Sequence, residues 1–164
     1  FLFKRCTIEV GGFALYIIIF MFSLASCHNK NLGLLLIRVA LGLVFVYHGW
    51  GKVDNMEATI GFFGSIGLAP FWAYVTAWVE LVGGLLMLAG IWVREVGVLF
   101  AVVMLVAIFK VHLANGFNFM QGGYEFQLVL LLASLAVVFT GAGKYAFLKN
   151  KSCPNCKDGV CMCK

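Results

Sequence analysis

Residues 112–125 read HLANGFNFMQGGYE, a polar and glycine-rich stretch set between two long apolar runs. Residues 96–109 before it and 126–143 after it contain no charged side chain. Each reaches membrane-crossing length once its flanks are counted. The stretch therefore reads as a turn at a membrane surface. It puts His112 and Asn115 at the exit of one helix and Tyr124 and Glu125 at the entry of the next. If the two helices are antiparallel neighbours, these residues form a polar mouth.

The rest of the chain agrees with that setting. Of 164 residues, 63% are hydrophobic and 12% charged, and the mean hydropathy of +1.00 lies far from a soluble domain. Long Leu/Val/Ala/Gly runs with only two prolines favour helices over barrel strands, which would alternate polar and apolar residues. The fold class expected is an all-α membrane protein, a four-transmembrane-helix bundle. The formal charge of +5 does not point to nucleic acid, because the lysines gather at the chain ends and helix flanks and act as topology signals.

Three segments follow from this reading. Residues 1–30 carry Lys4 and Arg5 before an apolar run and then Leu24-Ala25-Ser26-Cys27. This is the pattern of a lipoprotein signal, of an extra uncleaved helix, or of non-native upstream sequence with Met21 as the start. Residues 31–150 hold the membrane domain, and residues 151–164 form a cysteine-rich tail.

The first helix is expected over 31–51. Arg38, Gly42, Phe45, Gly49 and Lys52 fall within about 40° of one line at 100° per residue, with His48 at the edge of the stripe. Glycines there allow close helix packing, and Arg38 and Lys52 either snorkel to opposite surfaces or serve a site. Residues 53–70, with Asp54, Glu57 and glycines at 61, 64 and 67, read as a short amphipathic segment lying on or dipping into the membrane.

A second helix is expected from Pro70 to about Trp92, with Phe71, Trp72, Tyr74 and Trp78 as an interfacial aromatic belt. Glu80 lies inside it. A bare carboxylate in hydrocarbon costs about 2.5 to 3.5 kcal/mol on insertion scales, so Glu80 must be protonated, paired or facing a wet cavity. Arg38, His48 and Lys52 are its candidate partners. After a tight turn at Arg94 and Glu95, a third helix over 96–114 and a fourth over 123–143 complete the bundle. Glu125 in the first turn of the fourth also suits the helix dipole.

Lys30, Arg94, Lys144, Lys149 and Lys151 share one side of a four-helix chain, so both termini are expected in the cytoplasm. His48, Lys52, His112, Asn115 and Glu125 then converge at the outer ends, with Glu80 deeper in a shared cavity. In the tail, Cys153, Cys156, Cys161 and Cys163 lie on the reducing side, where disulfides do not persist. Four thiolates suit zinc or copper(I), and structural zinc supplies about 10 to 16 kcal/mol in small peptides. A redox dithiol and an unliganded tail are the alternatives.

Four motifs in order carry a resemblance: Arg38-x3-Gly42-x2-Phe45-x2-His48-Gly49-x2-Lys52, Gly61-Phe62 through Gly67-Leu68-x-Pro70, Val79-Glu80-x2-Gly83-Gly84, and His112-x2-Asn115-Gly116-Phe117 with Gly122-Gly123-Tyr124-Glu125. The chain resembles the DoxX family of small four-helix membrane proteins over about residues 32–148. The resemblance implies a prokaryotic cytoplasmic membrane and a link to redox systems that act on a quinone or another lipophilic carrier. On that expectation Glu80, His48, His112 and Glu125 handle protons. Arg38, Lys52, Asn115 and Tyr124 hold the carrier, and a membrane or soluble redox partner exchanges electrons with it. A non-enzymatic assembly or binding component and a small-solute transporter remain alternatives, in which the same polar groups orient helices.

Overall fold

The computed structural model describes residues 30–147. The expectations for residues 1–29 and for the four tail cysteines lie outside that range. Among the described residues the chain is helical, without strands. The helices are α1 (Lys30–Asp54), α2 (Met56–Ser65), α3 (Pro70–Ala89), α4 (Val93–Ala107) and α5 (Glu125–Thr140). A π-helical turn at Ile108–His112 and a 3-10 turn at Leu113–Asn115 prolong α4, and a second 3-10 turn spans Phe119–Gln121.

The protein is a membrane protein. Three helical stretches among the described residues are long and apolar enough to cross a bilayer: Lys30–Asp54, Pro70–Ala89 and Val93–Asn115. The fourth, α5, is equally apolar but has 16 residues. Between α1 and α3 the short α2 occupies the place expected for the amphipathic segment.

Close backbone contacts build the bundle. Helix α1 packs antiparallel to α3, and Gly42 and Gly84 let the two backbones touch. A Cβ on Gly42 would lie 3.0 Å from the Gly84 carbonyl oxygen, and one on Gly84 would lie 2.8 Å from the Val46 nitrogen. Helices α4 and α5 approach at Gly97, where a Cβ would lie 2.8 Å from Val138 Cγ2 and 3.3 Å from the Ser134 carbonyl oxygen. Small residues at such crossings replace a hydrophobic driving force that is missing between helices in lipid. Stacked rings of Phe45 and Phe100, 3.6 Å between centroids, join the two pairs. Leu41, Met87, Val96, Met104, Leu130 and Val137 fill the core around them.

Helix α1 runs on to Asp54 instead of 51 and α5 spans Glu125–Thr140 instead of 123–143, and two further ends differ for reasons visible in the backbone. Helix α3 stops at Ala89 instead of about Trp92, because Gly90 takes φ +75°. The Gly90 and Ile91 N–H groups donate to Met87 O at 3.2 Å and Leu86 O at 2.9 Å, a hydrogen-bond pattern that closes a helix and favours glycine. The next helix therefore begins at Val93, which puts Arg94 and Glu95 in its first turn. At the far end, regular α-helix stops at Ala107, and the chain reaches His112 through a π turn, a geometry common near functional sites.

Candidate functional site

Glu80 belongs to the buried face of α3, with Ala73, Ala77, Leu81, Gly84 and Met87. Only 3% of it is exposed. Its neighbour is set by Gly49, which sits against the α3 backbone. A Cβ there would lie 2.8 Å from Leu81 Cα and 2.9 Å from the Glu80 carbonyl carbon. One turn beyond, Lys52 Nζ donates to Glu80 Oε2 in an ion pair, the only one among the described residues. The lysine side chain is about a quarter exposed, at 27%, and the carboxylate hardly at all, at 4%. The pair therefore runs from an open surface into the bundle.

That surface is an open groove of about 450 Å³ lined by Tyr47, His48, Trp50, Gly51, Lys52 and Thr59. Thr59 fastens α2 to the end of α1 by donating to Lys52 O at 3.3 Å and Asn55 O at 3.0 Å. His48 is exposed and meets the Tyr47 ring edge-on, 5.6 Å between centroids. Lys52 alone touches both the groove and Glu80, so a charge change on one side is felt on the other.

The second polar cluster lies at the 112–125 turn. His112 Nδ1 is 2.7 Å from Gly122 O. A carbonyl only accepts, so Nδ1 carries the proton, and Nε2 accepts from Gln127 Nε2 at 3.0 Å. Asn115 Nδ2 donates to the same Gly122 O at 3.2 Å. Glu125 Oε2 accepts from the Phe119 N–H at 3.2 Å, and Tyr124 packs edge-on against Phe117. These four residues hold the turn to the start of α5.

The polar residues expected at one mouth make two separate sets of contacts. His48 lines the groove with Lys52, whereas both ring nitrogens of His112 are engaged with the turn and α5. The expected depth order also changes. Glu80 lies about 15 Å down α3 from Pro70, but Gly49 meets Leu81, so α3 begins beyond the end of α1. Gly49 consequently stands level with Glu80, and Lys52, about 4.5 Å farther along α1, reaches the carboxylate with its side chain.

Arg38 neither snorkels nor approaches Glu80. It is 1% exposed, and its guanidinium donates to Met87 O (3.3 Å), Leu88 O (3.3 Å), Ala142 O (2.7 Å) and Tyr145 O (3.3 Å). It clamps the end of α3 to the segment after α5, where the free carbonyls of a helix C-terminus attract a cation. Of the three candidate partners for Glu80, Lys52 is the one that bonds it.

Gln127 is the residue that sequence reasoning passed over. Its Oε1 is buried without a hydrogen-bond partner. A polar residue inside the apolar run of α5, two positions from Glu125 and so on another face, was the available signal. Among the described residues no group of three or more His, Cys, Asp or Glu could hold a metal ion.

Comparison with known proteins places this arrangement in context. The DoxX family model matches residues 33–113. A Bacillus subtilis protein named "Putative oxidoreductase CatD" is 48% identical over 116 residues, which cover 70% of this chain and 84% of the relative. An Escherichia coli protein named "Inner membrane protein YqjF" is 26% identical over 71% of this chain and 90% of its own. A Haemophilus influenzae protein without an assigned role is 31% identical over 70% of this chain and 87% of its own. No solved structure matches.

Proposed function

The chain belongs to the DoxX family, and from that premise we propose that it is a membrane redox component in which the Lys52–Glu80 pair exchanges protons with a lipophilic carrier seated in the groove. The observation that carries this reading is the pair itself, a buried carboxylate whose bonded cation opens onto a groove. The name of the Bacillus subtilis relative supports an oxidoreductase setting, and a quinone fits the residues. Tyr47 and Trp50 offer flat faces to a ring, and Lys52 and His48 offer N–H donors to its carbonyl oxygens.

A bound quinone would supply a two-electron, two-proton couple. Carboxylate, amine and imidazole move protons and place hydrogen bonds, so electrons pass to and from a partner protein. His112, Asn115, Tyr124 and Glu125 serve the same site indirectly by holding the turn at the end of α4. In this reading α5 crosses the bilayer as a fourth span, both termini lie on the cytoplasmic side of a prokaryotic inner membrane, and the tail cysteines bind zinc or copper(I). Impermeant thiol labelling of Cys153 and Cys156 on intact cells checks the orientation, and metal titration of a reduced tail peptide checks the ion.

The central test is Glu80→Gln, which keeps shape and removes the charge. Quinone-linked turnover in reconstituted membranes is expected to vanish while the protein still assembles. Unchanged turnover, or loss of assembly with no turnover in the parent protein, would favour a structural component instead.

A further inference from the structure

The turn between α4 and α5 has a property that aqueous loops do not need. Seven consecutive backbone N–H groups, from Phe119 to Glu125, all find acceptors within it. Phe119 N–H donates to Glu125 Oε2 and Met120 N–H to Asn118 Oδ1. Gln121 and Gly123 donate to Asn118 O, Gly122 to Phe119 O, Tyr124 to Gly116 O and Glu125 to Phe117 O, at 2.9 to 3.1 Å. Close approach makes this possible, since a Cβ on Gly123 would lie 2.6 Å from the Phe117 carbonyl carbon.

The side chains are sorted oppositely. Asn115 and Asn118 turn their polar groups inward onto the backbone, while Phe117 (56% exposed), Phe119 (55%) and Met120 (86%) point outward. Phe119 also folds back against Phe126, the second residue of α5, with 5.8 Å between ring centroids. The tip therefore lies along the helix flank and does not extend away from it. From Phe119 onward a satisfied backbone lies beneath an apolar exterior, which lowers the cost of seating a non-helical segment at the edge of lipid, whereas the Phe117 and Asn118 N–H groups donate to no protein acceptor among the described residues and keep that side of the tip next to water.

Helix length supplies an independent observation. With 16 residues, α5 is about 24 Å long at 1.5 Å per residue, short of a hydrocarbon core of about 30 Å. A turn sunk below the membrane surface makes up the difference. We propose that residues 117–120 form a re-entrant tip seated in the acyl-chain edge of the bilayer, with Phe117, Phe119 and Met120 in lipid. Gln121, polar and exposed, then meets the headgroups. The proposal rests on α5 crossing the membrane, and the test separates the two.

The test is spin-label accessibility in the full chain reconstituted in phosphatidylcholine vesicles. The six native cysteines all lie outside residues 30–147 and are replaced by serine. Labels at Phe117→Cys and Met120→Cys are compared with labels at Val129→Cys, Leu132→Cys and Phe139→Cys on the exposed face of α5. Molecular oxygen partitions into hydrocarbon and a nickel chelate stays in water. The expected result is an oxygen-over-nickel preference at 117 and 120 of the same sign as at 132. Nickel preference at the tip places it in water, and low collision with both reagents places it against protein. Either result overturns the proposal. Nickel preference at 132 would instead overturn the fourth span.

Discussion

Gly49 presses on the backbone of Leu81 with no space for a side chain, and this contact is what brings the Lys52 side chain within reach of Glu80. The close approach fixes the axial stagger of α1 against α3, and the ion pair follows one turn later. Packing and chemistry at this site are therefore one feature. Disturbing either should disturb the other.

Gly49→Ala is the first test of that link. The added methyl meets backbone, which cannot rotate away, so the helices must separate. Overpacking of this kind typically costs about 1 to 3 kcal/mol. Thermal unfolding in mild detergent should show the loss, together with reduced carrier binding at the groove. Gly33→Ala in the same helix faces open space and should be neutral or stabilising by about 0.5 to 1 kcal/mol.

The ion pair itself should behave as a unit. Lys52→Met leaves Glu80 buried without its cation, and breaking a buried pair from one side costs about 3 to 5 kcal/mol. Adding Glu80→Gln to Lys52→Met removes the stranded charge and should restore much of the stability, although not the proton exchange. A double-mutant cycle by thermal unfolding measures the coupling. Additive losses would show that the pair contributes little.

Much of this architecture was legible in the sequence. The stripe from Arg38 through Gly42, Phe45 and Gly49 to Lys52 could be read because 3.6-residue periodicity survives in any helix, and Glu80 stood out because carboxylates are rare in hydrocarbon. What escaped depended on backbone groups or on relative helix position. The acceptors of Arg38 are all main-chain carbonyls, which carry no residue signature. The stop at Gly90 is a choice among many glycines, decided by the Arg38 clamp and the turn that follows. The depth of Glu80 could not be referred to α1 without the Gly49 contact, and the bonds of His112 to the Gly122 carbonyl and the Gln127 amide could not be read from spacing.

The clamp at Arg38 gives a third expectation. Arg38→Lys retains the charge but cannot spread donors over four carbonyls on two segments, since an ammonium is a compact point donor. Buried acceptors left without partners cost about 1 to 3 kcal/mol each. Gly90→Ala should fail for a related reason, because a left-handed non-glycine residue costs about 1 to 2 kcal/mol and its Cβ would run into the guanidinium. Both variants should lower the unfolding temperature without abolishing carrier binding at the opposite end of α1.

The division of the polar residues into two clusters can be tested at His112. In His112→Phe the ring remains but both nitrogens are lost, so Gly122 O keeps only Asn115 and the Gln127 amide, whose Oε1 already lacks a partner, keeps none. The stranded Gln127 amide costs about 1 to 3 kcal/mol, and the loss should appear as faster hydrogen exchange across residues 113–124. The groove is lined by α1 and α2 residues and does not include His112. Carrier affinity should therefore change less than twofold, whereas Lys52→Met should reduce it severely. If one shared cavity joined the two histidines, His112→Phe and His48→Phe would reduce affinity alike. Parallel binding titrations of the two variants in vesicles distinguish these outcomes.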